Sequence, residues 1–174
     1  MGLSVLETVL NYQNGIPFGS SSCVVLAQKI VLKRILLQKN VFPPWIFFNK
    51  IQEQNEELGL IIDLTYTCRY YKPGDLPETI PYLIICTIGH QVPDGDTIFK
   101  FQCAVNGFLQ ENKDNDRLIG VHCTHGLNRT GYLICRYLID VEGMWPDDAI
   151  ECGKTISQLD SGCLGLISLL SEFL

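Results

Sequence analysis

No run of eighteen uncharged apolar residues occurs in this 174-residue chain, so the sequence offers no helix able to span a bilayer. Histidine is scarce, with three in all. His122, Cys123 and His125 lie together but have no second Cys/His cluster to complete a metal site, and His90 stands apart, so no metal is expected. Basic residues are almost missing from the last part of the chain. After Arg136 only Lys154 remains, against Asp140, Glu142, Asp147, Asp148, Glu151, Asp160 and Glu172. With a net charge of −6, this argues against a general nucleic-acid footprint, although the first half keeps cations, Arg69 and Lys72 among them. The chain does not open with a charged head and apolar signal, and Leu6 stands where a myristoylation site needs Ser or Thr. The eight cysteines are scattered at 23, 68, 86, 103, 123, 135, 152 and 163, mostly inside apolar runs. That pattern suits free thiols in a reducing compartment better than a disulfide framework, and predicts an intracellular protein. Internal repeats and low-complexity tracts are also absent, and 47% hydrophobic residues can bury one core.

What is present is concentrated in one decapeptide, His122 to Gly131. It lies between an apolar run, Leu118 to Val121, that reads as a buried strand, and another, Tyr132 to Ile139, that reads as a helix. A strand, turn and helix in that order aim backbone N–H groups and the positive helix end at one spot, which is a place for an anion. A thiol at a helix N-terminus beside cations is lowered from its reference pKa of ~8.5, which serine cannot match, so Cys123 is the expected nucleophile. Arg129 supplies a planar fork that fits the equatorial oxygens of a phosphoryl group in flight. The backbone of Thr124, His125, Gly126, Leu127 and Asn128 forms the expected cradle, with Gly126 and Gly131 permitting tight turns. Thr130 is placed to donate to the Cys123 sulfur, and His122 to orient the loop rather than act as a base. A structural loop or a metal site is the bland alternative, and the Cys-x5-Arg-Thr-Gly spacing in this context speaks against both.

Elsewhere the spacing predicts a helix over Trp45–Glu57, strands over Leu58–Leu64 and Ile80–Ile88, a helix over Thr97–Gln110 and another opened by Pro146-Asp147-Asp148. Val24 to Leu37, apolar but broken by Lys29, Lys33 and Arg34, reads as an amphipathic element. Strands alternating with helices imply an α/β fold, a mostly parallel central sheet with helices on both faces. Ligands of such sheets bind beyond the carboxyl ends of the strands. The segment after Leu64 should therefore reach the rim of Cys123, making Arg69 and Lys72 candidates for the outer phosphates of a polyphosphate, unless they are solvated loop charges. Asp94 and Asp96 are the only general-acid candidates at suitable distance, yet Pro93-Asp94-Gly95 is strong turn chemistry and the turn reading weighs more.

The decapeptide resembles the signature of the cysteine-dependent protein tyrosine and dual-specificity phosphatases. With Phe48–Ile51, Gly59–Thr65, Arg69–Pro73 and Gly89–Pro93, the region from Phe48 to Glu151 is similar to the RNA 5′-triphosphatase branch of that superfamily. The resemblance implies the cysteine phosphatase fold and removal of γ- and β-phosphates from RNA 5′ ends through a phosphocysteine intermediate, without cofactor or metal. It also implies RNA 5′ ends and ribonucleoprotein components as partners, no membrane, and a nuclear address. The ends depart from the pattern. Residues 1–44 form an atypical N-terminal segment, 45–151 the phosphatase core, and 152–174 an atypical apolar tail, so the C-terminal helical part is altered or incomplete. Asn14 to Pro44 does not match the extended segment that gives relatives a strand before the first helix. Two other readings stay open: a dual-specificity phosphatase of phosphotyrosine or phosphoserine proteins, and an impaired variant that only binds phosphate or RNA ends.

Overall fold

The computed structural model describes residues 20–26, 33–38, 51–52, 55, 57–66, 77–89, 91–123 and 128–157, with backbone alone at 20–26, 33–38, 128 and 152–157. Its five strands are β1 (Ser20–Leu26), β2 (Lys33–Gln38), β3 (Leu58–Asp63), β4 (Tyr82–Ile84) and β5 (Leu118–His122). They form one sheet in the order β2-β1-β5-β3-β4. The helices are α1 (Gly95–Glu111), α2 (Asn128–Asp140) and α3 (Pro146–Ser157).

The sheet has two halves of different character. β5, β3 and β4 run parallel, with Asp63 opposite His122 on one side and Ile84 on the other. β1 and β2 form an antiparallel pair, and β1 joins β5 antiparallel with Cys23 opposite His122. The described parts of Val24 to Leu37, read from sequence as an amphipathic element, are two strands, and the N-terminal region adds a strand beside β5 although its sequence does not match the relatives' segment. Charged residues interrupting an apolar run are as compatible with an outer hairpin as with a helix face. The strand expected over Ile80–Ile88 is only three residues long. It is the sheet's edge, where Leu83 and Ile84 stay exposed.

Residues in β3 and β5 alternate between two buried faces. Leu60, Ile62 and Leu64 join Ile119, Val121 and Cys123 in one core cluster with side chains of α1, α2 and α3, so these helices cover that face. Ile61, Asp63, Leu118 and His122 belong to the other face, where burial is also nearly complete. α1 buries Phe101, Val105 and Phe108 at helical spacing, as the sequence periodicity requires. Gly59 in β3 lets α1 approach: a Cβ there would stand 2.7 Å from the Phe108 ring. α2 is the central helix, buried from Arg129 to Leu138 except at Arg136. Its C-terminal end is tied to α1 by Gln102 Nε2 donating to Asp140 Oδ2 at 2.8 Å and by the Tyr137 hydroxyl donating to Asn106 Oδ1 at 2.9 Å. Gly143, at a φ of 68°, turns the chain toward Pro146, which opens α3 with Asp147 and Asp148 in its first turn.

Candidate active site

The carboxyl ends of β3, β4 and β5 meet the N-terminus of α2, and Cys123 and Arg129 lie there. Cys123 follows directly on β5 and is 4% exposed. Its strand is pinned to the next one by Leu64 N–H donating to the His122 carbonyl at 2.8 Å. Arg129, in the first turn of α2, is 8% exposed. Its Nη1 donates to the Thr87 carbonyl at 2.8 Å and the Leu64 carbonyl at 3.2 Å. Those two carbonyls lie just beyond β4 and β3. The guanidinium is thus oriented by the scaffold before any anion arrives, which is the preorganisation that makes electrostatic stabilisation effective. Thr124, His125, Gly126 and Leu127, and the side chain of Asn128, lie outside the described residues, as do Arg69 and Lys72.

Two supporting residues behave in different ways. Thr130 Oγ1 is fully buried and has no hydrogen-bond partner among the described residues, so the donation to the Cys123 sulfur anticipated from sequence is not among its contacts here. His122 faces away from the helices toward Asp63, with Nε2 3.7 Å from Oδ1. Burial pushes the His122 imidazole below its ordinary pKa, and the Asp63 carboxylate opposes that shift without cancelling it. A neutral ring that holds its place agrees with an orienting role. Because the folded state resists protonation that the unfolded chain accepts, stability should fall as pH drops below the ordinary value of 6.5 and keep falling until the folded-state pKa is reached. The slope from this one group has a ceiling of about 1.4 kcal/mol per pH unit. Chemical denaturation of wild type and His122→Gln between pH 7.5 and 5.5 checks this. The variant should lose part of the acid-side slope, and identical slopes would refute it.

The aspartates proposed as acids resolve into surface roles. Asp94 is the N-cap of α1, accepting from Thr97 N–H at 2.8 Å, and those hydrogen bonds hold its carboxyl below the ordinary value. That direction is opposite to what a proton donor needs. Asp96 forms an exposed ion pair with Lys100 at 2.6 Å. Sequence reasoning missed Asp63 as a site residue. Its buried carboxylate accepts from Thr65 N–H at 2.7 Å and from the Tyr82 hydroxyl, joining β3 to β4 beneath the site. The available signal was an aspartate ending the otherwise apolar strand Leu58–Asp63, since a buried charge must be satisfied. Leu64 and Thr87 act through backbone carbonyls and carry no side-chain signal. Among the described residues, no group of three His, Cys, Asp or Glu converges as a metal site.

A cysteine directly after a parallel strand and a buried arginine oriented in the first turn of the following helix are the parts of a cysteine phosphatase site. Residues 48–172 match the dual specificity phosphatase catalytic domain, and the chain belongs to that family. It is similar to the human RNA/RNP complex-1-interacting phosphatase, 79% identical over 116 residues that cover 67% of this chain and 35% of that protein. A more distant relative is the mRNA-capping enzyme of Danio rerio, 39% identical over 105 residues, covering 59% of this chain and 17% of the enzyme. Among solved structures, P. aeruginosa TpbA shares the fold at a TM-score of 0.59 and 18% identity, covering 77% of both chains. The chain spans about a third of the length of its human relative.

Proposed function

We propose that this chain is the catalytic part of a phosphatase that removes γ- and β-phosphates from RNA 5′-triphosphate ends. The Cys123 sulfur attacks the γ-phosphorus, the bond to the bridging oxygen breaks, and the RNA leaves with a 5′-diphosphate. Water then attacks the phosphocysteine, releasing inorganic phosphate and restoring the thiol. A second cycle on the β-phosphate leaves a 5′-monophosphate. Arg129 clamps the equatorial oxygens in both steps, and no metal or cofactor enters.

The observation that carries this reading is that, among the described residues, the Cys123/Arg129 pair is accompanied by an Asp94 that caps a helix and an Asp96 held in an ion pair, the two carboxyls the sequence offered as proton donors. A phosphoanhydride has a good leaving group and tolerates that arrangement, whereas a tyrosine or serine ester does not. Similarity to an mRNA-capping enzyme and to a phosphatase named for an RNA/RNP complex points the same way. RNA 5′ ends as substrate, ribonucleoprotein components as partners and a nuclear address belong to the same proposal.

RNA oligonucleotides carrying label in either the γ- or the β-phosphate test it. Both labels should be released in order, with a 5′-monophosphate as the end product. Release of neither label by folded protein would overturn the reading.

A further inference from the structure

Asp63 carries a buried charge that neither the nucleophile nor the arginine clamp accounts for by itself. It ends the otherwise uncharged strand β3, is 7% exposed, and stands opposite His122 of β5. A buried carboxylate is costly, and an apolar side chain would pack a strand end more cheaply, so its presence calls for a local reason. That reason lies in one peptide unit. Asp63 Oδ1 accepts from the Thr65 N–H at 2.7 Å, and the Leu64 carbonyl of the same peptide accepts from Arg129 Nη1 at 3.2 Å. A trans peptide is planar, with its N–H and C=O pointing in opposite directions, so holding the one aims the other.

The other contacts of the carboxylate fit this path. The Tyr82 hydroxyl donates to Oδ2, so each oxygen has its own donor: one ties Asp63 to β4 and the other holds the turn after β3. His122 Nε2 is 3.7 Å from Oδ1, longer than a hydrogen bond, which leaves the Thr65 contact the tighter of the two. Arg129 rests on two carbonyls, of Leu64 and Thr87, and Asp63 fixes the peptide that carries the first.

We propose that Asp63 is a positioning residue of the phosphatase: by holding the Leu64–Thr65 peptide it sets the plane in which Arg129 presents its fork to the phosphoryl group. A carboxylate accepts more strongly than a neutral oxygen, so its charge stiffens a bond on which the arginine's orientation depends. A turned Leu64 carbonyl tilts the guanidinium, and the tilt is felt by bound phosphate and by the transition state alike. The proposal rests on the phosphatase reading but not on RNA as the substrate, so it is read with ligands that carry no RNA.

Two measurements test it. Protection of Cys123 from iodoacetamide by inorganic phosphate gives an affinity, and kcat/KM for p-nitrophenyl phosphate, whose leaving group departs without a proton, reports the transition state. Asp63→Ala should weaken both about 10-fold or more, and Asp63→Asn, which keeps an acceptor for the Thr65 N–H without the charge, about 3-fold. Both penalties in kcat/KM should vanish in the Arg129→Lys background, because a residue that acts through Arg129 then has nothing left to position. A merely structural tie would add its cost in either background. Asn112→Ala serves as the stability control. Asn112 caps the end of α1, one turn beyond the Phe108 ring that packs on Gly59 near the start of β3, away from Asp63. That variant should melt at a lower temperature with phosphate affinity unchanged. The proposal is overturned by wild-type phosphate affinity in folded Asp63→Ala, by a penalty of equal size in the Arg129→Lys background, or by an equal loss of affinity in Asn112→Ala. If Asp63→Ala does not fold, Asp63→Asn decides, and wild-type affinity and kcat/KM in that variant overturn the proposal. Failure to release phosphate from RNA while these effects hold overturns only the RNA reading.

Discussion

Cys123→Ser is expected to lower phosphate release from 5′-triphosphorylated RNA by at least ~10⁴-fold while keeping affinity for the RNA end, because it removes the group that makes and breaks the covalent bond. Arg129→Lys should lose both turnover and affinity, with a drop in kcat of roughly 10²–10³-fold. The difference comes from geometry. Arg129 Nη1 is anchored on the Thr87 and Leu64 carbonyls, which fixes the plane of the guanidinium, whereas an ammonium has neither the reach nor the plane to do this and hold phosphate. Arg129→Lys also endangers the pairing of two carbonyls, at a cost of about 1–3 kcal/mol for each buried group left unsatisfied, so its melting temperature should fall. Cys123→Ser should melt close to wild type. Single-turnover kinetics, filter binding and thermal unfolding on the same preparations separate these effects. Wild-type turnover in Arg129→Lys would refute the clamp.

Much of this arrangement was legible because the motif and its flanks agree locally. Leu118 to Val121 has to be buried, Tyr132 to Leu138 has helical spacing, and only a turn between them places Cys123 and Arg129 at one rim. For Asp94 the sequence favoured a turn residue over an acid, since Pro-Asp-Gly is strong turn chemistry, and the structure makes it the cap of α1. What escaped was long-range. The orientation of Arg129 depends on carbonyls 42 and 65 residues away in sequence, and backbone oxygens look alike at every position. Asp63 needed Tyr82, 19 residues distant, and Thr65 N–H to be tolerated in the interior. The β1–β2 hairpin escaped because Lys33 and Arg34 break its apolar run without marking a period, and pairing with β5 decides the matter. Arg69 and Lys72, assigned by rim position alone, lie outside the described residues.

The second large expected effect is a preference for triphosphorylated RNA over a phosphotyrosine peptide of about 10²–10⁴-fold in kcat/KM, the usual worth of general-acid assistance. The two substrates meet the same nucleophile and the same arginine, so the ratio isolates the leaving group. A phosphoanhydride oxygen departs without a proton. A phenolate departs poorly unless one is supplied, and the capping bond from Thr97 keeps Asp94 in its carboxylate form. Asp94→Asn retains a good helix cap, so it should preserve the fold and leave RNA turnover unchanged. Arg69→Ala and Lys72→Ala should raise KM for RNA with little change in kcat, and the loss should shrink at high salt as exposed charges are screened. If the peptide is the better substrate and Asp94→Asn or Asp96→Asn cripples its hydrolysis, one of these carboxyls delivers the proton in the complex, and a protein phosphatase replaces the RNA phosphatase. If the folded protein hydrolyses neither substrate yet still binds the triphosphate end, an impaired binding protein replaces both. A preference for RNA that survives Asp94→Asn points to the leaving group as the reason for the choice, because both substrates meet the same nucleophile and the same arginine.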